Sequence, residues 1–159
     1  MENLEQYMKE ALIEAKKAFD LGEVPIGAVV VQGDKVIARG HNLRNFAKNP
    51  LRHAEIDVIN EAAGVVGDWR LEDCTLFVTV EPCPMCAGAI VQARIPKVVF
   101  GTRNTKAGCA GSILDILNEP RFNHQVAVEE GILQEECAQM MRLFFRRFRK
   151  KEPSLLTEE

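Results

Sequence analysis

One imidazole and two thiols, set thirty residues apart, constrain this chain more than any other feature. His53-Ala54-Glu55 is one half of the group, and Glu81-Pro82-Cys83-Pro84-Met85-Cys86 is the other. Together they offer three zinc ligands, His53, Cys83 and Cys86. A structural zinc is closed by a fourth side chain, whereas a catalytic one keeps a position open. Glu55, two residues past the imidazole, is placed to serve that open position. Zinc lowers the pKa of a bound water to about 7, and the released proton needs an acceptor that can hand it on. The fold must therefore bring two helix starts together, because helix N-termini favour thiolate and carboxylate charge.

The apolar pattern supplies such a fold. Leu4, Met8, Ala11, Leu12, Ala15, Ala18 and Phe19 predict an amphipathic helix to about Leu21, stopped by Gly22. Residues 27–31 predict a buried strand, turning at Gly33-Asp34 into a second strand over 36–39. Residues 40–51 read as polar and irregular, and a helix is expected from Ala54 to about Ala63. The run Thr75-Leu76-Phe77-Val78-Thr79-Val80 predicts a central strand, leading into a helix over about 85–93. Pro84 suits the first turn of that helix, where its missing N–H costs nothing. A strand over 97–101 completes a right-handed βαβ unit with parallel strands. Ser112-Ile113-Leu114-Asp115 resembles a capping box opening a short helix. A strand at 125–129 and a basic amphipathic helix at about 133–150 follow. The expectation is a three-layer α/β/α sandwich with a mixed five-stranded sheet, in one domain spanning 1–159.

No apolar run approaches the roughly 18 residues that span a bilayer. The start Met1-Glu2-Asn3-Leu4-Glu5 lacks the layout of a signal peptide, so a cytoplasmic protein is expected. Five cysteines without small-scaffold spacing argue against a disulfide framework, and Cys74, Cys109 and Cys137 read as small buried hydrophobes. Net charge is −3, yet six of the 20 bases fall between Arg142 and Lys151 with no acid among them. Such segregation makes a local anion-binding surface.

His-Ala-Glu with Pro-Cys-x-x-Cys is the signature of zinc nucleoside and nucleobase deaminases. With Glu23-Val24-Pro25-Ile26-Gly27-Ala28-Val29, Gly40-His41-Asn42, Trp69-Arg70-Leu71, Ala87-Gly88-Ala89 and Phe144-Phe145-Arg146, the chain resembles the bacterial tRNA-specific adenosine deaminases. That resemblance implies a cytidine deaminase-like fold and one Zn2+ per subunit on His53, Cys83 and Cys86. It implies Glu55 as proton shuttle, with hydroxide attacking C6 of adenine, N1 protonated and ammonia expelled to leave inosine. It further implies a wobble adenosine in a tRNA anticodon stem-loop as substrate, chiefly of an arginine tRNA. A homodimer in which the second subunit helps line the site is implied as well.

The substrate side rests on residues outside the signature. Asn42 has an amide that can read a base edge, although an Asn after Gly40 also forms turns. The resemblance places it, with Ala54, in the adenosine pocket. On the last helix Cys137, Met140, Met141, Phe144 and Phe148 form one apolar stripe, with Phe145 at its edge beside Arg142 and Arg149. Phe145 and Arg149 are expected to stack on and pair with the RNA. Lys106 is placed to meet a phosphate. Asn104 stands where the family more often has Asp, which predicts weaker discrimination between RNA and DNA. Arg52 is a second departure, from the small residue common before the His. The rival readings are a deaminase of free guanine or deoxycytidylate, a catalytically silent RNA-binding subunit, and a structural zinc protein. The last would need a fourth ligand from Cys74, Cys109, His41 or His124.

Overall fold

A computed structural model of the protein describes residues 3–151, with side chains as far as Arg147. The chain opens with helix α1 (Leu4–Asp20) and an antiparallel hairpin of β1 (Gly27–Gln32) and β2 (Lys35–His41). A single helical turn, α2 (Arg44–Ala47), precedes helix α3 (Ala54–Val66). Strand β3 (Cys74–Val80), helix α4 (Pro84–Gln92) and strand β4 (Lys97–Thr102) form the βαβ unit, followed by β5 (Ala127–Glu130) and helix α5 (Gln134–Lys151). The sheet order is β2-β1-β3-β4-β5, with β1 antiparallel to both neighbours and β3, β4 and β5 mutually parallel.

Strand periodicity builds the three layers. Ala28, Val30, Leu76, Val78, Val98 and Phe100 point to one face, where Ala54, Val58 and Ala62 of α3 meet Ala87, Ile90 and Val91 of α4. Val29, Val31, Phe77 and Val99 point to the other face, against Tyr7, Met8 and Ala11 of α1 and Cys137 of α5. Both faces are covered, so β1 and β3 read as continuous apolar runs rather than alternating ones. Helix α1 packs so close that a Cβ on Gly27 would lie 2.0 Å from the Ala11 carbonyl oxygen. Among the described residues no helix is long and apolar enough to cross a membrane.

Three expectations need correction. The segment 40–51 is not wholly irregular, because the buried Glu23 carboxylate accepts the Asn45 and Phe46 N–H groups and nucleates α2. No helix opens at Ser112: its N–H and hydroxyl turn to Glu81, and a 3₁₀ turn forms only at Ile116–Asn118. The last strand starts at Ala127 rather than at 125.

Candidate active site

The parallel β3–α4 connection and the start of α3 converge at one end of the sheet. His53 is the N-cap of α3 and Cys83 the N-cap of α4, both in extended conformation, with Pro84 filling the first turn. His53 Nδ1 lies 3.6 Å from Cys83 Sγ and 3.5 Å from Cys86 Sγ. Bonds of about 2.1 Å to nitrogen and about 2.3 Å to sulfur, at a tetrahedral angle, would set those atoms about 3.6 Å apart. The donor set and its spacing therefore fit zinc. Among the described residues no other cluster of His, Cys, Asp and Glu is placed to hold a metal. The fourth-ligand candidates are engaged or buried elsewhere. His41 bonds Glu14, His124 bonds the Ile95 carbonyl, and Cys74 and Cys109 are buried free thiols.

The electrostatics suit a dication. The Cys86 thiol hydrogen bond, aided by His53, pulls Cys83 down to about 4, while Cys86, which keeps the shared proton, is pushed up. The Cys83 thiolate in turn raises His53. Glu55 sits on the first turn of α3 and is only 4% exposed. Burial pushes its carboxyl up to about 7, with the Cys83 charge adding to the shift. A carboxyl so poised takes and gives protons near neutral pH.

These groups open into a cavity of about 500 Å³. Val24 and Ile26 form an apolar wall, and Asn42, Ala54 and Glu55 stand with His53 and Cys83. Arg44, Glu81, residues 102–107 and the α5 side chains Ala138, Met141, Arg142 and Phe145 complete the lining. A larger cleft of about 1020 Å³ lies along the outer face of α3 and α4, lined by Leu51, Ile56, Ile59, Trp69 and Ala89. It holds none of His53, Cys83 and Cys86, so the smaller cavity is the candidate active site.

MafB19-like deaminases are the family whose profile matches residues 2–149. A tRNA-specific adenosine deaminase of Bacillus subtilis is 56% identical over 147 residues, covering 92% of this chain and 91% of its own. The protein of the same name from Streptococcus pyogenes serotype M18 is 48% identical over 151 residues, 95% of each chain. The chain belongs to the tRNA-specific adenosine deaminase family. A solved structure from a study of A-to-I editing by tRNA:A34 deaminases superposes with a TM-score of 0.82 at 39% identity, covering 85% of this chain and 98% of its own. The mixed five-stranded sheet is thus the cytidine deaminase-like fold. A guanine deaminase from Nitrosomonas europaea, with a TM-score of 0.77 at 21% identity, shares that fold.

Within this family member, most residues expected at the site do line one cavity, but several are engaged differently from the expectation. The Asn42 amide already donates to the Val24 carbonyl and accepts the Arg44 N–H, so it shapes the turn as well as the wall. The Asn104 side-chain oxygen accepts the Lys106 and Ala107 N–H groups, an Asx turn that Asp would form equally well. Phe145 stands half-buried at the cavity, edge-on to the buried Phe144 with ring centres 5.3 Å apart. The Arg149 side chain lies outside the described residues. The basic run also has an acidic partner after all: Arg142 pairs with Glu135, two turns earlier on the same helix, at 2.5 Å. Arg52 staples the segment before α3 to its first turn through a 2.9 Å ion pair with Asp57.

Sequence reasoning missed Glu81, Arg103 and the Val24–Ile26 wall. A lone acid closing an apolar strand was the available signal for Glu81, which is 2% exposed. Arg103 gave none, since its partner Glu130 lies on another strand.

Proposed function

We propose that this chain hydrolytically deaminates adenosine to inosine at the wobble position of a tRNA anticodon, with an arginine tRNA as the substrate. The observation that carries the proposal is the zinc-spaced His53, Cys83 and Cys86 beside the buried Glu55, opening into one cavity. The relatives in the family, named as tRNA-specific adenosine deaminases, support adenosine in tRNA as the substrate class.

His53, Cys83 and Cys86 would hold zinc, which would supply a water of lowered pKa at neutral pH. Glu55 accepts a proton from the attacking water and delivers it to N1 of adenine as the water oxygen adds at C6. Glu55 then carries the second proton to the exocyclic amine, which departs as ammonia and leaves a C6 carbonyl. Ala54 and Asn42 face the base from the turn and helix start, and Val24 and Ile26 exclude water from its side. Anticodon loops present unpaired bases, so extruding the target costs less than in a duplex. Phe145 stacks on a neighbouring base, while Arg44, Lys106 and Arg142 at the same cavity, together with Arg149, meet phosphates. With Asn104 in place of an acid, the loop repels a backbone less and discriminates RNA from DNA less strictly.

The whole chain, 1–159, acts as a single zinc-dependent deaminase domain in the cytoplasm. A second copy covers the cleft along α3 and α4, where Leu51 is 56% and Trp69 58% exposed. That cleft abuts the catalytic cavity, since His41 and Arg52 line one and their neighbours Asn42 and His53 the other. A free-base deaminase has no phosphate or neighbouring base for Arg44, Lys106, Arg142 and Phe145 to meet at the cavity.

The test offers purified zinc-loaded protein an anticodon stem-loop with a wobble adenosine beside free adenosine, guanine and cytidine. Inosine formed in the RNA alone is expected. Ammonia from a free base with the RNA untouched would overturn the proposal.

A further inference from the structure

Glu81 follows the central strand β3, two residues before the metal ligand Cys83, and its carboxylate is buried with no cation among the described residues bonded to it. Four donors converge on it, all from the loop over residues 103–112. Oε1 accepts the Asn104 N–H at 3.0 Å and the Ser112 hydroxyl at 2.5 Å. Oε2 accepts the Ala110 N–H at 2.9 Å and the Ser112 N–H at 3.0 Å. The loop is shaped around this group. A Cβ on Gly108 would lie 2.4 Å from Glu81 Cδ and 2.4 Å from the Asn104 carbonyl oxygen, so only glycine fits there. The neighbouring Cys109 N–H bonds the Pro82 carbonyl at 2.8 Å, a second tie between loop and metal segment.

We infer that Glu81 is a positioning residue, fixing the substrate-side loop against the metal-ligand segment so that Asn104, Thr105 and Lys106 face the cavity in register with Cys83. The inference rests on the reading that this loop meets the RNA. The chemistry follows from the donor count. A carboxylate has enough lone pairs for four donors and no hydrogen of its own to clash with them. An amide at the same place keeps one oxygen, which can serve Ala110 and Ser112. Its NH2 group then faces the Ser112 hydroxyl, which can rotate to accept, and the Asn104 N–H, which cannot. Glu81→Gln thus releases the loop at Asn104, the end nearest the substrate, and leaves the far end tied. Lys106 and Ala107 follow, because their N–H groups hang on the Asn104 side chain.

The experiment compares the zinc-loaded full chain with Glu81→Gln and Gly108→Ala, the latter crowding the same joint from the loop side, away from the metal ligands. On the wobble-adenosine stem-loop, KM is expected to rise about threefold to tenfold, the net worth of one ordinary hydrogen bond, with kcat within about twofold. Zinc content stays that of the parent protein, and amide exchange at residues 104–107 accelerates in both variants. Unchanged exchange in Glu81→Gln overturns the inference, as does faster exchange with unchanged KM. So does loss of zinc with a fall in kcat, which would make Glu81 a support of the metal segment alone. Should Glu81→Gln fail to fold, Gly108→Ala decides on the same readings. If the parent protein leaves the RNA untouched, the functional proposal falls, while the exchange rates still decide whether Glu81 anchors the loop.

Discussion

Two adjacent phenylalanines on α5 should separate stability from substrate binding. Phe144 is 5% exposed and packs edge-on to Phe19, with ring centres 6.2 Å apart. Phe145 is half-buried, leans on Phe144 at 5.3 Å and shows its remaining surface to the catalytic cavity. Truncating a buried phenylalanine costs about 3–5 kcal/mol. Phe144→Ala should therefore lower Tm by roughly 6–20 °C in a chain of this length, at about 2–4 °C per kcal/mol. Phe145→Ala loses about half the burial and one aromatic pair worth about 0.5–1.5 kcal/mol, so it should cost about 2 kcal/mol. Its larger effect is on RNA. Stacking of one base on an aromatic ring is worth about 1–3 kcal/mol, which corresponds to roughly 5- to 150-fold in kcat/KM. Phe145→Trp preserves the platform and should keep most of that activity. The assays are thermal unfolding of the zinc-loaded protein and steady-state deamination of the stem-loop. If Phe145→Ala destabilises as much as Phe144→Ala and leaves kcat/KM unchanged, Phe145 belongs to the core and the stacking role is wrong.

Other outcomes follow from the same structure. Burial raises the Glu14 carboxyl, but hydrogen bonds from Lys17 and His41 outweigh it and hold the group below its ordinary value of 4.5. The stability it contributes is present above that value and lost as pH falls through the lower folded one. Glu14→Gln should then lower the denaturant midpoint at neutral pH, by an amount that shrinks below about pH 4.5; a constant difference down to acid would contradict this. Asn104→Asp keeps the Asx turn, so stability should hold. A unit charge about 8 Å from a phosphate costs about 0.5 kcal/mol in water on either backbone, which the Asp carboxylate offsets only on RNA by accepting a 2′-hydroxyl hydrogen bond, so activity on a DNA oligomer should fall relative to RNA by about twofold. An unchanged ratio would sink that idea. Stripping zinc with a chelator should lower stability by about 4 kcal/mol compared with zinc at a thousandfold above Kd, reversibly, with helix content retained. Insensitivity of Tm to the chelator would show that His53, Cys83 and Cys86 hold no metal.

Local chemistry made the clustering of His53, Cys83 and Cys86 and the layers readable from the chain. His53 and Cys83 announce helix starts, Pro84 reinforces one of them, and the apolar runs at 27–31 and 75–80 can only be buried strands. What stayed hidden depends on distant partners. Glu81 reads as one more acid until the loop 23 to 31 residues later folds onto it. Ser112 matched a capping pattern, yet that buried carboxylate outcompeted the helix for its N–H and hydroxyl. The α2 turn depends on Glu23, some twenty residues upstream. Arg142 looked unpaired because only the run after it was counted, while Glu135 lies two turns before it.

The most direct measurement of the central claim compares parent protein and Glu55→Ala, matched for zinc content, on the wobble-adenosine stem-loop in ¹⁸O-labelled water. The parent should form inosine carrying solvent oxygen at C6 and release ammonia. Glu55→Ala should keep its zinc and lose turnover by at least about 10²- to 10⁴-fold, the usual worth of a general acid–base group. Equal rates in the two proteins, or inosine without solvent oxygen, would contradict hydrolysis with Glu55 as the proton carrier.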